Sequence, residues 1–107
     1  MNSEIAITEA LSFLMKICKE NQYNELQEKL SKCYFELIKI EADTRRQKAG
    51  ALIRGMQAID RELRLLIFEY EKVKRGFNTD GIQYFDRLIS EIKQKRRELA
   101  MQKEALK

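Results

Sequence analysis

Residues 52–77 read LIRGMQAIDRELRLLIFEYEKVKRGF and carry the clearest structural pattern in the chain. Their apolar side chains recur in alternating steps of four and three: Leu52, Met56, Ile59, Leu63, Leu66, Tyr70, Val73 and Phe77. This spacing places them along one side of a single helix for about seven turns, with charged residues on the opposite side. Because such a stripe is unstable in water, it must pack against other helices of this chain or of a partner.

The composition predicts a helical protein throughout. The 107 residues include no proline and only four glycines, and 36% of them are charged. These values favour helix and fit one domain over residues 1–107. No apolar run approaches the roughly 20 residues that cross a bilayer, and the N-terminal run lacks the features of a signal peptide. We therefore expect a cytoplasmic protein without a membrane span.

Two shorter stripes precede the long one and predict a helical hairpin over residues 3–43. The first helix runs from about residue 3 to residue 20, and Asn21 suits the left-handed conformation that ends a helix. The second opens at Asn24 and Gln27, which match a capping box. The two stripes consist of Ile7, Leu11, Leu14 and Cys18, and of Leu26, Leu30, Cys33, Leu37 and Ile40. A turn at residues 21–23 sets the two cysteines roughly 10 Å apart along the axis, so both thiols are predicted to be free and buried.

The connection between the second and third helices has two interpretations. Either the chain breaks at about residues 44–50, or the helix continues with its buried side rotated. The rotated side also obeys the four-three rule, with Arg45 as its one polar intruder, and would otherwise consist of Phe35, Ile38, Ala42, Ala49 and Leu52. Gly50 and Gly55 each cost a helix about 1 kcal/mol relative to alanine, which does not prevent continuity. We expect a continuous or kinked helix.

A last helix follows a stop at Gly76, which the cations of residues 72–75 support. Asp80 and Gln83 match a second capping box. Its stripe, Phe85, Ile89, Ile92, Leu99 and Leu106, thins after Ile92. We therefore expect this helix to cover the long stripe weakly there and to be displaceable. The predicted fold is all-α: a helical hairpin, a long coiled-coil-like helix and a basic C-terminal helix in an antiparallel bundle.

Charge is spread unevenly along the chain. Residues 1–43 hold eight acidic and five basic residues, a net charge of −3, whereas residues 44–107 hold nine and sixteen, a net charge of +7. The densest basic cluster contains no aromatic residue and is flanked by Glu91 and Glu98; it consists of Lys93, Lys95, Arg96 and Arg97. This arrangement is more typical of a solvated helix surface than of a nucleic-acid site.

The chain lacks the residue types of a catalytic or metal centre. It has no histidine and only two cysteines, which excludes imidazole chemistry and a zinc site. No Lys-Ser/Thr pair follows Gly50 and Gly55, so a phosphate-binding loop is not indicated. We expect no enzymatic activity, no cofactor and no metal.

Two segments are similar to a known family. Residues 19–26, KENQYNEL, lie at the predicted turn, and residues 59–66, IDRELRLL, lie on the long helix. Over about residues 5–76 the chain resembles the FliT family of flagellar export chaperones, and more loosely other type III secretion chaperones. The resemblance implies a small helical chaperone that binds an aggregation-prone export client and docks it on the export apparatus. It assigns partner binding to Ile59, Leu63, Leu66 and Tyr70.

The sequence thus predicts a non-enzymatic chaperone or adaptor that binds a secretion or assembly client through apolar helix faces. One alternative is a small basic helical regulator of phage or plasmid type that associates with nucleic acid, and another is a self-associating coiled-coil structural subunit. The expected partner is a protein, a homodimer is allowed, and nucleic acid is the weaker alternative. Salt separates these hypotheses, because phosphate contacts lose affinity steeply as salt rises and an apolar groove does not.

Overall fold

The computed structural model describes the backbone of residues 3–106 and the side chains of residues 7–106. The elements are helices α1 (Ser3–Asn21), α2 (Asn24–Thr44), α3 (Ala49–Val73) and α4 (Thr79–Ala105), with a short 3-10 turn at Lys74–Gly76. Short connections make successive helices antiparallel, and α2 packs on α1 and α3 while α4 packs on α3 and α1. The predicted all-α antiparallel bundle is confirmed.

One apolar core runs along the bundle and draws on all four helices. The α3 stripe lies in it as predicted, with Leu52 and Leu66 fully buried and Met56 and Val73 half-buried at the margin. The core also contains buried side chains of the other helices, among them Leu14 and Cys18 on α1, Leu26, Leu30 and Cys33 on α2, and Phe85, Leu88, Ile92 and Leu99 on α4. Removing this apolar surface from water is the main favourable contribution to folding.

The expectation of a continuous helix through residues 41–50 is wrong. Helix α2 ends at Thr44, Gln47 takes a left-handed conformation with a φ of 53°, and α3 begins at Ala49. This reversal turns the α2 stripe that ends at Ile40 and the α3 stripe towards the same core. A continuous helix would hold the two stripes on different sides of one rod, and each would then need a separate partner.

The α1–α2 turn lies where the sequence predicts it, but its local chemistry differs. Gln22 is the left-handed residue, with a φ of 59°. Asn21 stays helical, and its side-chain amide donates to the Ile17 carbonyl at 2.9 Å. Tyr23 precedes α2 without a side-chain cap, so the capping box predicted at Asn24 and Gln27 is wrong. Asn24 is already the first helical residue and therefore cannot serve as the cap.

The cap of α4 also lies earlier than predicted. The Asn78 side chain accepts a hydrogen bond from the Gly81 backbone N–H at 2.7 Å, and the helix begins at Thr79. The capping box predicted at Asp80 and Gln83 is therefore wrong. Asp80 lies in the first turn instead, where its negative charge favours the helix N-terminus.

Aromatic side chains close the bundle at the end where these two turns meet. The Tyr70 ring stacks on Phe85 with centroids 3.6 Å apart and meets Phe77 edge-on at 5.2 Å. Tyr23, from the other turn, stacks on Phe77 at 5.8 Å. A Cβ at Gly76 would collide with the Tyr23 hydroxyl, so any larger residue there would require the Tyr23 ring to move. The cluster holds both turns against the core.

At the opposite end, α4 stays packed further than the sequence predicts. Leu99 is fully buried, and it can approach because Gly55 has no side chain: a Cβ there would lie 3.1 Å from the Leu99 Cδ1. Arg96 donates to both carboxylate oxygens of Asp60, at 2.7 and 3.1 Å. The weak cover expected after Ile92 therefore begins only after Leu99.

Replacing Leu99 with alanine should lower the free energy of unfolding by about 2–5 kcal/mol, because buried methyl groups are lost and a cavity remains beside Gly55. Met101, which is 69% exposed on the same helix, is the control, and its replacement by alanine should change the free energy by less than about 0.5 kcal/mol. Urea denaturation followed by circular dichroism measures both values. Equal small effects would contradict the burial of Leu99.

Candidate functional site

The structure brings the four residues predicted to bind a partner together in the core. Ile59, Leu63, Leu66 and Tyr70 lie on the inner side of α3, and none is more than 8% exposed. Helices α2 and α4 cover that side. A partner can reach these residues only if one of the covering helices moves away, and their role in binding stays a prediction.

A second apolar stripe lies on α2 and faces away from the core. Phe35 is 61% exposed and Ile38 is 47% exposed, and Ala42 extends the exposed side by one turn. Steps of three and four place these residues on one side of the helix, opposite the buried Cys33. We call Phe35, Ile38 and Ala42 the outer stripe. The sequence contains its spacing, but the prediction of a continuous helix placed it in the core.

A pocket of about 230 Å³ opens beside the outer stripe, where α1 and α2 meet. Its lining is Ile7, Thr8, Tyr34, Leu37, Ile38, Glu41 and Lys95. Lys95 reaches across from α4, and its Nζ lies 3.6 Å from the Glu41 Oε1, so an ion pair borders the apolar wall. The volume is below the roughly 300–1,000 Å³ of sites for small molecules and cofactors. A single large apolar side chain of a protein partner fits it better.

The densest basic cluster is largely engaged within the fold. Three of its four cations have partners: Lys95 with Glu41, Arg96 with Asp60, and Arg97 with the Gln94 side chain. The Arg97 donors lie 3.0 and 2.6 Å from the Gln94 Oε1. A phosphate would have to displace these partners, but each surface pair is worth only about 0–1 kcal/mol. The solvated helix surface therefore stays a prediction here.

The two thiols are free and buried, as the sequence predicts. Burial raises the pKa of Cys18 to about 11 and that of Cys33 to about 12, and the charges of Glu62 and Glu36 add to the shift at Cys33. The thiolate, which is the reactive form, is therefore scarce at neutral pH.

Among the described residues no cluster of three or more candidate ligands could hold a metal ion. Within residues 3–106 no helix is long and apolar enough to cross a membrane.

Cys18 and Cys33 should not react with a chromogenic disulfide reagent at about pH 8 while the protein is folded, whereas both thiols should react in concentrated guanidinium chloride. The raised pKa values also predict an effect on stability. The fold favours the neutral thiols, so they stabilise it. Their contribution to the free energy of unfolding is complete below the unfolded pKa of 9.0 and is lost as the pH rises through the folded pKa values of about 11 and 12. Rapid labelling of the folded chain would contradict the burial.

Glu62 is a charged side chain in the interface between α2 and α3. It is 3% exposed, and its Oε1 has no hydrogen-bond partner. The neighbouring Arg61, which points into solvent, places its Nε 3.5 Å from that oxygen. A buried carboxylate with one long ion pair often fails to recover its cost of desolvation, so we expect Glu62 to destabilise the bundle.

Replacing Glu62 with methionine should therefore raise the free energy of unfolding by about 1–4 kcal/mol, since a similar volume is kept and the desolvated charge is removed. Glu71, which is exposed on the same helix, is the control, and Glu71→Met should leave stability nearly unchanged. Thermal and urea denaturation measure the difference. A loss of stability in Glu62→Met would show that the carboxylate stabilises the fold.

Comparison of the chain with models of protein families, with curated proteins and with solved structures gives no match. The family resemblance over residues 5–76 accordingly stays a prediction. The features of the molecule that suit a binding partner are the outer stripe, the adjoining pocket and the charges around them.

Proposed function

We propose that this protein is a non-enzymatic helical chaperone or adaptor that binds an amphipathic helix of a protein partner along the outer stripe of α2. The observation that carries the proposal is the exposure of Phe35 and Ile38 on a helix whose other side is already buried. Contiguous large apolar side chains in water are uncommon on monomeric proteins and mark interaction surfaces.

The spacing of the outer stripe supports a helical partner. Its side chains stand one turn apart, so the side chains of a second helix can pack between them. The pocket beside Tyr34 and Leu37 adds a recess for one protruding apolar residue of that helix. A polar residue next to it can reach the Glu41–Lys95 ion pair at the border of the pocket.

Accessibility distinguishes the outer stripe from the inner side of α3. Phe35 and Ile38 can be contacted in the folded bundle, whereas contact with Leu63 or Leu66 requires that a helix first leave the core. The outer stripe is therefore the first contact in this proposal. Following the family resemblance, the client would be a component of secretion or assembly that is met in the cytoplasm.

Phe35 and Phe68 form a matched pair for testing this function, because they are 61% and 60% exposed on different helices. The Phe68 ring lies under the Lys72 ammonium, with the Nζ 4.4 Å from its centroid, and is not part of the outer stripe. Purified chains would be used to capture partners from the native cell, and the identified partner would then be titrated by calorimetry. Phe35→Glu should weaken its affinity at least about tenfold, and Phe68→Glu should leave it unchanged.

The solution conditions separate this proposal from the nucleic-acid alternative. Apolar docking should survive a rise in salt and show a negative heat-capacity change on binding. Capture that is lost on nuclease treatment, or that weakens steeply with salt, would support the regulator instead. Equal affinity of the wild type and Phe35→Glu for the partner would reject the outer stripe as the binding surface.

A further inference from the structure

We infer that the outer stripe of α2 also binds the same stripe of a second copy of this chain, in an antiparallel helix pair around a twofold axis. The inference rests on the proposed function only in that both use this surface. The second copy covers Phe35 and Ile38 until a partner helix displaces it.

The outer stripe extends in both directions with the same alternating spacing. The residues on that side, in steps of three and four, are Glu28, Ser31, Phe35, Ile38, Ala42 and Arg45. Arg45 keeps helical backbone angles, with φ −56° and ψ −33°, so its position continues the direction of the helix. This seam spans about 26 Å at 1.5 Å per residue and has the periodicity of a coiled coil.

The register of the pair follows from that seam. The seam has two kinds of position: those that follow a step of four, such as Phe35, and those that follow a step of three, such as Ile38. In an antiparallel pair a position of one kind faces a position of the other kind, so Phe35 of one copy packs against Ile38 of the other. The twofold axis then passes between residues 36 and 37, and each contact occurs twice. Ser31 faces Ala42 of the second copy, and these small side chains let the two helices approach closely around the larger apolar pair.

The charges at the ends of the seam are complementary in this register. Glu28 of one copy faces Arg45 of the other. Among the described residues, neither of these two has an ion-pair partner within its own chain. A self-complementary arrangement of free charges around an apolar centre is the observation that identifies a second copy as the occupant.

One feature of the seam limits the affinity. Lys32 of one copy approaches Lys39 of the other, and these like charges repel each other. The repulsion is reduced because the Lys39 Nζ lies 3.6 Å from the Glu36 Oε1 in its own helix. The interface is also short, which lowers the affinity further. Helix α2 is already folded in the bundle, so dimerisation carries no cost of helix nucleation. We therefore expect a weak dimer with a dissociation constant of about 1–100 µM, which a partner helix can replace.

The experiment is sedimentation equilibrium of the full chain over about 1–300 µM, with four variants. Phe35→Glu should be monomeric throughout, whereas Phe68→Glu should dimerise like the wild type. Glu28→Arg and Arg45→Glu should each weaken the dimer at least about fivefold, because each places like charges opposite each other. The double variant Glu28→Arg/Arg45→Glu should restore the dimer, since the reversed charges again face each other across the seam.

A wild-type chain that stays monomeric to about 300 µM would overturn the inference. A dimer that persists in Phe35→Glu, or a double variant that fails to recover, would also overturn it, because the contact would then use another surface or another register. Circular dichroism of each variant verifies that the bundle is folded. The result is separable from the proposed function: a monomeric wild type whose partner affinity still depends on Phe35 removes only the dimer, and a dimer without such a partner removes only the chaperone or adaptor role.

Discussion

Burial of the apolar stripe on α3 is the constraint on which the rest of the bundle depends. The stripe is longer than α1, and its side chains at Leu52, Ile59 and Leu66 are withdrawn from water almost completely. Both α2 and α4 are needed to cover it. The chain must therefore reverse direction before Ala49 and again after Gly76, and the two reversals make neighbouring helices antiparallel.

The two ends of the bundle are held by different interactions. At the end with the α1–α2 turn, the Tyr70 ring stacks on Phe85 and meets Phe77 edge-on, and these rings fill the space between the helices. At the other end, the small Gly55 admits Leu99 from α4. The Arg96–Asp60 pair on the surface nearby has good geometry but is solvent-exposed, so it contributes about 0–1 kcal/mol. Burial of Leu99 is the larger effect and keeps α4 in place.

Among the side chains that depart from the usual arrangement of polar residues outside and apolar residues inside, Glu62 and Phe35 lie on opposite sides of helix α2. Glu62 brings a carboxylate into the core against α2, next to Cys33, while Phe35 presents an aromatic ring to water on the opposite side. Burial of the Glu62 carboxylate costs free energy, whereas the exposed Phe35 ring gains none from burial in an isolated chain. The occupant that we propose for the outer stripe would bury Phe35; nothing in the structure explains the burial of Glu62.

The sequence by itself determined what local periodicity controls: the helical class, the hairpin of α1 and α2, the burial of the α3 stripe and the free thiols. Only the tertiary structure decided which of the two α2 stripes lies inside, because Cys33 and Ile40 on one side and Phe35 and Ile38 on the other obey the same spacing. The choice depends on the chain reversal before Ala49, which sets the first pair against α3. An apolar stripe in a sequence predicts that another helix must cover it. Only the packing shows whether that helix belongs to the same chain.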